Sequence, residues 1–264
     1  MQLNGQAVDL LEAGQGEAML YLHGFADVHG AVSSWLPFHR ELQRRFRVLA
    51  PAHPGCAGSE GLNDVDSIED LVLHYIELAD ALGLARFNLV GTCIGGWIAA
   101  ELAVRHPERV QRLVLIGATG LEVPGELIGD LFMLAQPKDG GNLADLRALL
   151  FESAESPLAE TLFPNGRASL EEELLRYQAL TFAGRIGWHP PYLYDPKLRS
   201  RLRRVTSPAL IVWGELDRLV PLAHGRAYAD GLPHSRLEVL PVGHSVHLER
   251  PSETADLMTS FLAA

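Results

Sequence analysis

The stretch RFNLVGTCIGGWIAAELA, residues 86–103, changes its period in the middle. Its first half, FNLV, is a short apolar run of the kind that a strand covered on both faces requires. Its second half, over 94–106, reads as a helix that His106-Pro107 brings to an end. Between the two, Gly91 and Gly95 flank Cys93. Glycines on both sides leave room for a turn too tight for ordinary side chains, and such a turn holds the central side chain out at the end of a strand. The N–H groups that open the following helix then face any negative charge that develops there. Three readings of Cys93 fit: a working nucleophile, a packed thiol, or a cysteine standing in the place of a serine.

Working outward, similar apolar runs recur at 18–23, 47–50, 112–117, 208–214 and 236–241. Helical patterns lie between them. In SIEDLVLHYIELADALG, 67–83, apolar residues fall on one face of a 3.6-residue period, Ser67 with Asp70 forms a capping-box pattern, and Gly83 supplies a stop. Residues 251–263 read as a last helix with Pro251 in its first turn. Strand and helix in alternation predict an α/β protein with a mostly parallel central sheet flanked by helices. The alternation fails over 121–205, where PGELIGDLFMLAQ and SLEEELLRYQALTFAG read as helices and no strand is evident. This predicts a core of 1–120 and 206–264 interrupted by an inserted helical cap at 121–205.

The totals narrow the partners. A chain of 264 residues can bury a full core unaided. A net charge of −11 argues against nucleic acid and against an anionic membrane surface. No apolar run is long enough to span a bilayer, the opening MQLNGQAVDL lacks the features of a secretory signal, and two cysteines make no disulfide framework. A cytoplasmic protein acting on a small molecule is the expectation; the sequence carries no sign of its oligomeric state.

A nucleophile needs a base, and the base an orienting acid. His244 in LPVGHSVHLERP lies just past the last strand pattern, and Asp217 in IVWGELDRLVP just past the one before it. In a parallel sheet both reach the same edge as Cys93. The rivals are His247, three residues on, and Glu215, nearer its strand and expected to point into packing. For Asp217 the plain alternative is an ion pair with Arg218 or with a nearby lysine.

The order nucleophile, acid, histidine is that of the α/β-hydrolase fold, and nearly the whole chain resembles that family. The resemblance is carried by YLHGFAD, APAHPGCAGSE, LVGTCIGGWIAAELAVRHPERVQRLVLIGA, PALIVWGELDRLVP and GHSVHLERPSE. It implies an oxyanion hole from the N–H groups of Phe25 and Ile94, with His23 and Gly24 shaping the loop, and a variable helical cap at 121–205. Two departures stand out: cysteine at the elbow where serine is usual, and AHPGCAGSE, in which His53 replaces an acid and Ala57 follows Cys56. Members such as dienelactone hydrolases are similar in using a Cys-His-Asp set. Trp188 and Tyr192 in GWHPPYLYDP are pocket candidates, or equally a packed hinge; Trp97 reads as core and Cys56 as an inert thiol.

The reaction expected first is hydrolysis of a carboxylic ester, lactone or thioester through an acyl-enzyme on Cys93, needing no metal and no organic cofactor. The alternatives are hydrolysis of a carbon–carbon bond in a diketone-like substrate, acyl transfer, a serine hydrolase altered to cysteine, and a slow-turnover ligand receptor.

Overall fold

The computed structural model describes residues 1–27, 35–136, 138, 142–166 and 168–263. Six strands fall where the apolar runs predict them: β4 (Glu17–Leu22), β5 (Phe46–Pro51), β6 (Phe87–Thr92), β7 (Val110–Ile116), β8 (Ala209–Gly214) and β9 (Ser235–Leu240). The sequence pattern does not reveal three short N-terminal strands: β1 (Gln2–Leu3), β2 (Gln6–Ala7) and β3 (Leu10–Ala13). β1 and β2 form a small antiparallel hairpin. The main sheet has seven strands in the order β3-β5-β4-β6-β7-β8-β9, parallel throughout except where β3 runs antiparallel to β5.

Alternate side chains of each strand serve two cores. Leu20, Leu22, Leu89, Leu113, Leu115 and Ile211 face one layer, with helices Ile68–Ala81 and Cys93–Arg105 packed on it. Met19, Tyr21, Val90, Val114 and Val212 face the other, covered by Pro37–Leu42 and Pro251–Leu262. Coverage on both faces is why these strands read as continuous apolar runs. The capping box at Ser67 and Asp70 is formed.

The chain between β7 and β8 holds helices Leu131–Leu134, Ala144–Leu150, Pro157–Leu162, Leu170–Gly187 and Leu198–Arg201. One expectation is corrected here. PGELIGDLFMLAQ is not helical throughout; only Leu131–Leu134 is. Pro124, Gly125 with φ +84°, and Gly129, whose α-carbon sits against Leu149 and the Arg218 carbonyl, hold the earlier part in a loop.

This topology gathers one edge of the sheet. The chain leaves β4 at His23, β6 at Cys93, β8 toward Asp217 and β9 toward His244, all at the carboxyl ends of parallel strands.

Candidate active site

β6 passes straight into helix Cys93–Arg105, and Cys93 takes φ +50° at the junction. That left-handed conformation costs a residue bearing a Cβ about 1–2 kcal/mol. It persists because the neighbours admit nothing else. A Cβ on Gly95 would lie 2.2 Å from the Leu22 carbonyl oxygen and 2.4 Å from that of His23, and one on Gly91 would lie 2.3 Å from the Gly95 oxygen. The obstructing atoms are backbone and cannot turn aside. Gly95→Ala is therefore expected to cost about 3 kcal/mol or more. Urea unfolding would measure it, and a loss below about 1 kcal/mol would show that the loop after β4 can retreat.

The helix opening at Cys93 carries no side-chain cap, so no side chain takes up the N–H groups of its first turn, which includes Ile94. The loop after β4 lies against the elbow: a Cβ on Gly24 would come within 2.7 Å of the Cys93 Cβ. The next peptide, Gly24–Phe25, is held by its carbonyl, which accepts from His23 Nδ1 at 2.8 Å. In a trans peptide N–H and C=O point in opposite directions, so this bond also aims the Phe25 N–H. His23 Nε2 accepts from the His53 N–H at 3.0 Å, which fixes Nδ1 as the donor. His53 donates from Nε2 to the His23 carbonyl at 2.8 Å and receives the Tyr75 hydroxyl at Nδ1. The substituted His53 of the AHPG segment is thus a buried brace beneath His23.

His244 Nδ1 lies 2.8 Å from Asp217 Oδ2. The other oxygen, Oδ1, accepts from the N–H groups of Leu219 at 2.9 Å and Val220 at 2.7 Å. Burial works against a charged imidazole, but the Asp217 carboxylate and Cys93 outweigh it and hold His244 well above its usual range. Cys93, Asp217 and His244 are all buried. The rivals lie elsewhere. Glu215 is exposed rather than packed, a correction that follows from its backbone N–H bonding to Leu240 at the very end of the sheet. Arg218 makes no ion pair with Asp217; it donates to the carbonyls of Ala148, Phe151 and Glu152. His247 faces Asp27, with Nε2 3.2 Å from Oδ2, within ion-pair distance but outside hydrogen-bond geometry.

Among the remaining candidates, Cys56 is a fully buried free thiol that burial pushes up to about 12. Trp97 is buried, its indole N–H without a hydrogen-bond partner among the described residues. Tyr192 is half-buried; its hydroxyl donates to the Gly129 carbonyl and accepts from the Leu131 N–H. Trp188 is 64% exposed, stacked on Phe132 at the rim of a surface groove of about 700 Å³ that none of Cys93, Asp217 and His244 lines. Asp27 escaped sequence reasoning; only its position two residues past Phe25 hinted at it.

Among the described residues no group of His, Cys, Asp and Glu is arranged to hold a metal ion, and no helix is long and apolar enough to cross a membrane.

Several imidazoles here are buried and neutral. Burial lowers His23 and His53, and it brings His74 down to about 4. A base depressed in the fold binds fewer protons than it does unfolded. Its stabilisation is complete above the unfolded value of about 6.5 and drains away as pH falls toward the folded one. His244, raised, behaves oppositely: its contribution is complete below about 6.5 and fades as pH rises through its folded value. With His23, His53, His74 and His224 on the acid side and the buried Glu101, raised to about 7, working the other way, Tm is expected to fall by about 3 °C from about pH 7 to about pH 4.5. His74→Gln should flatten part of that slope in thermal scans; an unchanged slope removes His74 from the account.

Residues 17–251 match the α/β hydrolase fold family. The chain is 31% identical to a 2-hydroxymuconate semialdehyde hydrolase of Pseudomonas sp. (strain CF600), over 98% of this chain and 91% of the relative. It is 29% identical to a 2-hydroxy-6-oxo-6-phenylhexa-2,4-dienoate hydrolase of Comamonas testosteroni, over 95% and 89%. A meta-cleavage product hydrolase from Pseudomonas fluorescens superposes with a TM-score of 0.80 at 22% identity, covering 99% of this chain and 96% of its own, which speaks for the fold alone. With its parallel sheet, its strained turn after β6 and relatives matched along almost its full length, the chain belongs to the α/β-hydrolase fold family and is a hydrolase.

Proposed function

We propose that the protein hydrolyses a carbon–carbon bond beside a ketone or aldehyde in a 2-hydroxy-6-oxo-dienoate, with Cys93 as nucleophile. The observation that carries this reading is the 31% identity over 98% of the chain to a hydrolase of 2-hydroxymuconate semialdehyde. The substrates named for the relatives contain an enol, a conjugated diene and a carbonyl, but no ester or amide. Water can divide such a molecule only at a carbon–carbon bond whose leaving carbanion is delocalised. The likeness therefore favours carbon–carbon cleavage over the ester, lactone or thioester hydrolysis that the elbow alone first suggested.

The chemistry runs as follows. Cys93 Sγ, paired with the His244 imidazolium, adds to the carbonyl carbon, and the N–H groups of Phe25 and Ile94 receive the oxyanion. As the carbonyl re-forms, the carbon–carbon bond breaks. The bond breaks from the 2-oxo tautomer, in which the enol proton has moved to the carbon about to be released, so its electron pair leaves into the conjugated enolate, which takes the proton from His244. A thioester remains on Cys93. Water, giving a proton to His244, attacks it and releases the acid and the thiol. Asp217 holds the imidazole in the tautomer that both steps need.

The segment 121–205 serves in this reading as a lid. Phe163 stacks on Phe25 at 6.0 Å, and Phe182 stacks on His53 at 4.4 Å. Gln178 pairs with the backbone of Ala57, and Arg185 donates to the carbonyls of Val65 and Asn63 and to Asp66. The lid thus leans on the oxyanion loop and its brace, and a dry site strengthens every charge interaction inside it.

Mixing the protein with 2-hydroxymuconate semialdehyde tests the reading. The expected result is loss of the conjugated chromophore with release of formate and 2-hydroxypentadienoate. An unchanged chromophore, with simple esters turned over by the same preparation, would return the protein to ester hydrolysis.

A further inference from the structure

One buried carboxylate lies beside the site without belonging to the nucleophile, base or acid. Asp27 is 3% exposed, and donors from several parts of the chain converge on it. Oδ1 accepts the Gly24 N–H at 2.7 Å. Oδ2 accepts the Thr92 hydroxyl at 2.9 Å and the Tyr21 hydroxyl, with His247 Nε2 at 3.2 Å. Burial favours the neutral acid, yet His247 and the Tyr21 hydroxyl hold the carboxyl well below the usual carboxylate range, so the group is an anion. Burying an anion is costly, and a fold that needed only filling would use an apolar side chain of that size.

The partners give the carboxylate its use. Gly24 precedes Phe25, whose N–H the proposed mechanism places in the oxyanion hole; Thr92 precedes Cys93; His247, in the short helix Val246–Glu249, lies three residues past His244. The Gly24 backbone lies between Asp27 and the nucleophile, since a Cβ there would be 3.1 Å from Oδ1 and 2.7 Å from the Cys93 Cβ. One oxygen therefore grips the oxyanion loop and the other grips the elbow. We propose that Asp27 is a positioning residue that fixes the Phe25 N–H relative to Cys93 Sγ, and so sets how well the oxyanion is held. The proposal rests on Cys93 being the nucleophile and on Phe25 supplying an oxyanion N–H.

Two reactions of the same sulfur separate this role from plain structural support. Acylation of Cys93 by p-nitrophenyl acetate passes through an oxyanion; alkylation by iodoacetamide does not. In Asp27→Asn the single amide oxygen can serve Gly24 or the Thr92 cluster, not both, because the other end of the amide is a donor. Acylation, followed as the p-nitrophenol burst and mapped by mass, is expected to fall about 30-fold while alkylation changes less than about 3-fold, in the range a lost oxyanion contact commands. Thr92→Val keeps the carboxylate and should lower acylation about 5-fold with alkylation again preserved; it decides the matter if Asp27→Asn does not fold. Equal losses in both reactions, or none in either, would overturn the proposal and leave Cys93 as nucleophile. A native protein alkylated at Cys93 but never acylated there would overturn both.

Discussion

Cys93→Ala is expected to lower turnover by about 10⁴-fold or more while Tm stays within a few degrees of the parent. The side chain is small and sits at a junction whose shape is imposed by Gly91 and Gly95, so alanine leaves a modest cavity and the same backbone. What it removes is the sulfur that attacks the carbonyl in the proposed mechanism. Cys93→Ser is the sharper comparison. The present site pairs sulfur with an imidazole that Asp217 and Cys93 itself hold above its usual range. A thiolate–imidazolium pair is reactive while His244 is protonated; an alcohol instead needs His244 neutral, to take its proton as it attacks. Serine is therefore expected to lose about 10- to 100-fold at neutral pH. Its rate should climb as pH rises through the His244 value, while the cysteine protein is already active below it. Identical pH profiles for the two proteins, or a gain with serine, would show a site built for oxygen.

The elbow was legible because its constraint is local. A residue held at φ +50° in this turn needs glycine where backbone meets backbone, and those glycines stand in the sequence at fixed offsets from Cys93. The parallel strands were legible because burial on both faces leaves no polar alternation. Asp217 and His244 followed from being the polar residues just past two such strands. The N-terminal strands were not, because β1 and β2 are two residues long and β3 is only half-buried, which leaves a pattern resembling a loop. PGELIGDLFMLAQ misled because its apolar spacing is helical while Gly125 takes a left-handed φ and Gly129 answers to Leu149 and Arg218 far along the chain. Asp27 was invisible for a similar reason. Its partners stand at Tyr21, Gly24, Thr92 and His247, and no spacing in the sequence joins them.

Asp217→Asn is expected to lower the rate by on the order of 10³- to 10⁴-fold with little loss of fold. The amide oxygen can still take the N–H groups of Leu219 and Val220, which now bond to Oδ1, so the loop after β8 keeps its shape. The NH₂ group then faces His244 Nδ1, where the carboxylate now accepts at 2.8 Å. Two donors cannot meet, so the imidazole turns to the tautomer with Nδ1 as acceptor and its proton on Nε2, which cannot receive a proton from thiol or water. The larger of the two attractions that raise His244 disappears with the carboxylate, which leaves only Cys93 against the burial that opposes the charged ring. The charged imidazole that the proposed mechanism sets beside Cys93 should be lost as well, so iodoacetamide alkylation at neutral pH is expected to slow along with turnover. Glu215 offers no substitute, because it is exposed beyond the end of the sheet. The check is a paired measurement of turnover and of the His244 Nδ1 proton by NMR, a signal that should vanish in the variant. Retention of more than about a tenth of the activity would assign the orienting of His244 to another group.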